Sequence, residues 1–185
     1  MIVTPTPLPG VLVVEPRVHR DSRGFFLETF SARRYEESGI PGPFVQDNHS
    51  RSLKGTVRGL HLQVKRPQGK LMRAVSGSML DVAVDVRVGS PTFGRWTSAL
   101  LSGENFRQLY VPPGFAHGFA VLSDVVDVEY KCTDTYDPSD EITVRWDDPA
   151  IGIEWPQGEP ILSPRDAAAR PLSELLDRLP KFEAP

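Results

Sequence analysis

Between Met79 and Val88 the chain alternates strictly. Leu80, Val82, Val84, Val86 and Val88 take every second position, with Asp81, Ala83, Asp85 and Arg87 between them. Successive side chains on a strand point to opposite faces, so the pattern predicts a half-buried β-strand. Shorter β-rich runs lie at Val11 to Val14, Phe25 to Phe30, Val57 to Leu62, Leu71 to Val75, Arg95 to Leu101, Phe106 to Val111 and Val125 to Cys132. Gly10, Gly24, Gly55, Gly77, Gly89, Gly103 and the Pro112 to Gly114 step punctuate them. Many short strands without long helices between them predict an antiparallel sandwich or barrel, a jelly roll among the candidates, over a βαβ fold. Two short helices are expected: one capped by Ser31 and ending at Gly39, the other capped by Ser173 and running to Leu179 before Pro180.

A chain of 185 residues with no linker, repeat or low-complexity stretch is expected to form one domain over residues 1–185. The 21 basic and 24 acidic residues leave a net charge of -3, which gives no electrostatic reason to bind a nucleic acid polymer or an anionic membrane. Cys132 is the single cysteine and cannot form an internal disulfide. There is neither an N-terminal basic-then-apolar segment nor an apolar run of about 18 residues, so the expectation is a cytoplasmic protein with no membrane partner.

Ionisable residues that interrupt apolar strands are expensive unless paired or used, and they mark where chemistry would sit. Such interruptions occur at Arg23 to Glu28, Gln46 to Ser50, Arg58 to Gln63, Gln68 to Lys70, Pro112 to Phe119, Tyr130 to Glu141 and Ser163 to Asp166. Taken singly, each has a plain structural explanation. His61, like His19 and His49, would pack with a hydrogen bond, Lys70 and Arg58 would be surface charges, Tyr130 a core aromatic and Asp166 a turn residue after Pro164. On a regular strand Gly59, His61 and Gln63 share one face and Arg58 takes the other; a bulge at Gly59 would reconcile them.

A metal centre is the competing reading of histidines on a small barrel. Pro113, Gly114 and His117 resemble the second cupin motif, but the first wants His-x-His followed by glutamate. Here the corresponding strand offers Leu60-His61-Leu62-Gln63. Two imidazoles without a third ligand make a poor zinc or iron site, so no metal and no cofactor are expected.

Arg23-Gly24-Phe25-Phe26-Leu27-Glu28, Gln46-Asp47-Asn48, Arg58-Gly59-Leu60-His61, Gln68-Gly69-Lys70-Leu71, Asp81 to Asp85, Tyr110 to Phe119, Tyr130-Lys131 and Trp146 to Pro156 together resemble the dTDP-4-dehydrorhamnose 3,5-epimerase family. The resemblance runs in order from about residue 2 to residue 180. It implies an all-β, cupin-type double-stranded β-helix jelly roll with a few short helices. It also implies a homodimer that has lost the cupin metal and inverts C3 and C5 of a dTDP-4-keto-6-deoxyhexose through enolates.

The resemblance further implies the roles of single residues. His61 would be the base, oriented by Asp166, with Lys70 stabilising the enolate and Tyr130 as the acid. Arg23, Phe26, Glu28, Gln46, Asn48, Arg58, His117, Tyr136, Glu141 and Arg165 would bind the substrate, with Arg58 and Arg23 on phosphates and Phe26 and Tyr136 around the thymine. Residues Arg23 to Glu28 would reach across the dimer, and Asp81 would back the site from inside the barrel. Leu62 stands where relatives often have an aromatic residue, and Arg165 where many have lysine. Enzymes that invert only C3 or only C5 share much of this motif set, which keeps a single-centre epimerase as the alternative. A metal-dependent cupin and a non-catalytic nucleotide-sugar binding module are the more distant ones.

Overall fold

The computed structural model describes residues 1–183. Its strands are β1 (Ile2–Pro5), β2 (Leu12–Glu15), β3 (Val18–Asp21), β4 (Gly24–Leu27), β5 (Gln46–Leu53), β6 (Val57–Gln63), β7 (Lys70–Ser76), β8 (Ser78–Asp85), β9 (Trp96–Ser102), β10 (Gln108–Val111), β11 (Phe115–Val121), β12 (Val125–Cys132) and β13 (Glu141–Thr143). Two short helices, α1 (Ala32–Glu37) and α2 (Pro164–Ala167), and a 3₁₀ turn at Leu172–Glu174 complete the described elements. No described helix is long and apolar enough to cross a membrane.

The strands form two facing antiparallel sheets, ordered β1-β2-β10-β7-β12-β5 and β13-β6-β11-β8-β9, with β3 and β4 as a separate hairpin. This is the cupin-like jelly roll. Met72, Ala74, Met79, Ala83, Leu109, Phe115, Phe119 and Val128 fill one end of the space between the sheets. The outer face of the six-stranded sheet is covered by α1, where Tyr35 and Ile40 pack on Val14, Leu71 and Tyr110. The outer face of the five-stranded sheet is covered by the C-terminal segment through Ile142, Ile151, Leu172, Leu175 and Leu179.

That last layer corrects the expectation of a half-buried strand. β8 runs Ser78–Asp85, stopping short of Val88, and it is buried on both faces. Val82 and Val84 meet the C-terminal layer, while Met79 and Ala83 face the interior between the sheets. Asp81 shares that interior face by the period of two. Asp81 and Asp85 therefore have 0% exposure, where simple alternation predicts solvent-facing carboxylates.

The expected helices are corrected as well. Ser31 precedes α1, but its side chain makes no cap, and the helix ends at Glu37 with Gly39 in the left-handed region at φ +86°. The helix expected from Ser173 to Leu179 is a single 3₁₀ turn preceded by Pro171. Its leucines are buried by tertiary packing against the sheet rather than along a continued helix. α2 was not foreseen: Ser163 caps it by accepting from the Asp166 amide at 3.1 Å, with Pro164 in its first turn.

Candidate active site

The end of the interior not filled by apolar side chains is an open cavity of about 680 Å³. From the six-stranded sheet it takes Gln46, Asn48, Lys70, Met72, Tyr130 and Cys132; from the five-stranded sheet Arg58, His61, His117, Phe119 and Glu141. Tyr136 from the loop after β12, and Arg165 and Asp166 from α2, also line it.

Arg58 and His61 reach the same cavity because β6 changes phase between them. His61 pairs with His117 and Arg58 with Phe119, so two β6 residues oppose the single Gly118. Gly59 occupies the bulge at φ +134°, and a Cβ there would lie 2.6 Å from Gly118 Cα. Only glycine satisfies both constraints. The Gly59–Leu60 peptide is cis.

His61 Nε2 lies 2.6 Å from Asp166 Oδ1. Burial works to raise the Asp166 carboxyl, but the His61 hydrogen bond and charge, with Ser163 and the Gly59 backbone, outweigh it and hold the carboxyl below its ordinary range. An ionised carboxylate can only accept, so Nε2 carries a proton, and in the neutral ring the lone pair is on Nδ1. On that side Glu141 Oε1 lies 4.0 Å away. Glu141 Oε2 accepts from Tyr136 Oη at 3.0 Å and forms an ion pair with Arg165.

His117 Nε2 is 2.8 Å from Asp81 Oδ1, and Asp81 Oδ2 is buried without a partner. Both histidines are thus taken by carboxylates. Among the described residues no three His, Cys, Asp or Glu side chains are grouped to hold a metal ion.

Facing them, Lys70 forms no ion pair among the described residues. Burial drives its ammonium below the ordinary lysine value, and the neighbouring Cys132 sulfur and the Glu141 and Asp81 carboxylates push it back only in part. Burial likewise raises the Tyr130 phenol, so it keeps its proton at neutral pH. Arg58 Nε donates to Ser52 Oγ at 3.0 Å. Gln46 Nε2 donates to Asn48 Oδ1 at 2.9 Å, and its Oε1 accepts from the Tyr136 amide at 2.8 Å.

Three expected residues do not reach this cavity in their own chain. Arg23 pairs with Asp21, and Phe26 is 71% exposed, both on the β3–β4 hairpin. Glu28, just beyond β4, pairs with Arg34 of α1. Conversely, Met72 and Cys132 line the cavity although neither is among the expected site residues. The period of two carried that signal, since Met72 lies two residues after Lys70 and Cys132 two after Tyr130. Ile161 and Leu162 also line it, from an irregular segment that gives no such signal.

The family model described as dTDP-4-dehydrorhamnose 3,5-epimerase matches residues 5–174. A dTDP-4-dehydrorhamnose 3,5-epimerase of Neisseria gonorrhoeae is 53% identical over 92% of this chain, which spans about half (52%) of that relative's length. The enzyme of that name from Salmonella typhimurium is 51% identical over 95% of this chain and 98% of its own. The crystal structure of dTDP-6-deoxy-D-glucose-3,5-epimerase from Legionella pneumophila Philadelphia 1, in complex with dTDP-4-keto-L-rhamnose, superposes with a TM-score of 0.96 at 50% identity and covers 99% of each chain. With a family match running from the first strand to the 3₁₀ turn, and a near-complete superposition of the jelly roll that carries the His61–Asp166 pair, the chain belongs to the dTDP-4-dehydrorhamnose 3,5-epimerase family.

Proposed function

We propose that the protein inverts C3 and C5 of dTDP-4-dehydro-6-deoxy-D-glucose, giving dTDP-4-dehydro-L-rhamnose, with no metal in the reaction. The observation that carries this reading is the placement of a carboxylate-held imidazole and a protonated phenol on opposite sheets of one cavity. Inversion beside a ketone needs such a pair. His61 Nδ1 removes the proton from the carbon next to C4, and the C–H electrons move onto the C4 oxygen as an enolate. Tyr130 then delivers a proton to the other face of that carbon.

Asp166 holds the ring and stabilises the imidazolium formed in the first step. Lys70 meets the enolate oxygen. A desolvated ammonium without a carboxylate partner interacts more strongly with charge that develops during the reaction than with the neutral ketone, which is the condition for lowering the barrier.

Arg58 is placed to take the pyrophosphate with its guanidinium fork. Tyr136 offers a flat surface for the thymine, and Gln46, Asn48 and His117 offer hydrogen-bonding groups to the rest of the ligand. Arg23, Phe26 and Glu28 lie outside the cavity of their own chain, so in this reading they complete the site of the second subunit of a cytoplasmic homodimer. Neither a nucleic acid polymer nor a membrane is a partner.

Incubation with dTDP-4-keto-6-deoxyglucose in deuterated water tests the reading. Deuterium is expected at both C3 and C5. Exchange at one carbon alone favours a single-centre epimerase, and absence of exchange removes the assignment.

A further inference from the structure

Glu141 is the second carboxylate beside His61, and it is shared. Its Oε1 lies 4.0 Å from His61 Nδ1, the nitrogen left with the lone pair, while its Oε2 is held by Tyr136 and by Arg165. The Glu141 side chain is only 12% exposed, so its charge is felt at the imidazole with limited screening by water. Two carboxylates around one imidazole favour the imidazolium, which is the wrong state for a resting base.

We infer that Arg165 is a positioning residue that pins and neutralises Glu141, so that His61 rests as a neutral base. The guanidinium fork suits the task. It meets the Glu141 carboxylate, lies 3.4 Å from the Glu141 carbonyl oxygen through Nη2, and lies 3.4 Å from the Tyr136 hydroxyl through Nη1. Arg165 also adjoins Asp166 in α2, so one short helix supplies the carboxylate that orients His61 and the cation that disarms its neighbour.

Asp166 apart, which is Arg165's neighbour in α2 and is bonded to His61 on the Nε2 side, the other charged and titratable groups around His61 come from elements that Arg165 does not touch. Its cross-strand partner His117 is tied to Asp81, and Lys70 and Tyr130 stand on the opposite sheet. Arg58 shares β6 and is tied to Ser52. Among the described residues, Glu141 is therefore the charge at His61 that Arg165 meets in an ion pair.

This inference rests on His61 acting as the base, and its test separates the two. The readout is the titration of the His61 ring by NMR in the full-length protein, assigned with a His61→Gln control, alongside the pH profile of deuterium exchange. Removing the positive charge in Arg165→Met leaves the field of Glu141 uncompensated. The imidazolium is favoured, and the His61 midpoint is expected to rise by about 0.5–1 pH unit. The acidic limb of exchange should move upward with it. Arg165→Lys should bring the midpoint back toward wild type, and Glu141→Gln should lower it. An unchanged midpoint in Arg165→Met overturns the inference, as does a lysine variant that behaves like the methionine one. A midpoint that moves as expected in a protein that never exchanges deuterium would uphold the coupling and overturn the catalytic reading instead.

Discussion

His61 and His117 are direct partners across β6 and β11, yet their Nε2 atoms are held by carboxylates from different parts of the chain, Asp166 of α2 at 2.6 Å and Asp81 of β8 at 2.8 Å. The difference sorts their roles. Asp166 is ionised and held in the first turn of α2, which fixes the His61 tautomer with Nδ1 free for a proton. His117 is anchored to a carboxylate with 0% exposure, deeper in the interior, and in the proposed reading it is a fixed group for the ligand rather than a second base.

Replacing His61 with alanine should abolish deuterium exchange at both carbons while dTDP affinity stays within about tenfold, roughly 1.4 kcal/mol. Asp166→Asn should keep the fold and lower the exchange rate by about 10²–10⁴-fold, because the amide neither fixes the tautomer nor stabilises the imidazolium. Calorimetric dTDP binding together with exchange rates checks both. A variant of either kind that exchanges at the wild-type rate would remove the pair from the mechanism.

Tyr130→Phe separates removal of the proton from inversion. His61 can still abstract the proton and return a deuteron to the same face. Exchange with retained configuration is expected to continue while formation of the inverted sugar falls by about 10²–10⁴-fold. NMR of the product sugar distinguishes the two outcomes, and equal loss of exchange and inversion would count against the phenol as the acid.

Gly59→Ala tests the bulge that brings Arg58 and His61 to one cavity. The new Cβ meets Gly118 Cα at 2.6 Å in a backbone conformation that disfavours a side chain. A loss of at least about 2 kcal/mol is expected. For a chain of this size that lowers Tm by roughly 4–8 °C in a thermal melt.

Stability should fall in acid through Asp85 at the end of β8. Burial raises this carboxyl, but the Arg87 guanidinium and the Ser90 and Thr92 hydroxyls outweigh it and hold it below 3.8. A carboxyl with a lower pKa folded than unfolded contributes stability above pH 3.8, and that contribution is lost as pH falls through the folded value. Asp85→Asn is expected to cost about 2 kcal/mol at neutral pH. The gap between variant and wild type should close as pH falls below 3.8 and through the lower folded value. Urea midpoints at several pH values read this directly, and a gap that stays constant into acid would contradict it.

Much of this architecture was legible in the linear chain. Period two over Met79 to Val88 and the short glycine-bounded runs around it specify strands, because alternation is a property of neighbouring residues alone. The same rule puts Lys70 with Met72, and Tyr130 with Cys132, on one face. The ordered motifs pointed to the family that the comparisons then identified.

What the chain does not carry locally is what covers each face. β8 is buried on both sides because the segment from Ile142 to Leu179 folds back over its Val82 and Val84 face, while the six-stranded sheet closes over the opposite face, the one that carries Asp81 and Asp85. The Ser173 helix gave way to leucine burial for the same reason. His61 meets Asp166 across a sequence separation of 105 residues, and Arg58 joins His61 only through a bulge whose partner is Gly118 of another strand. Local pattern determines which side chains share a face of their own element. Only the packed layers decide which faces meet, because burial and charge pairing act through space and not along the chain.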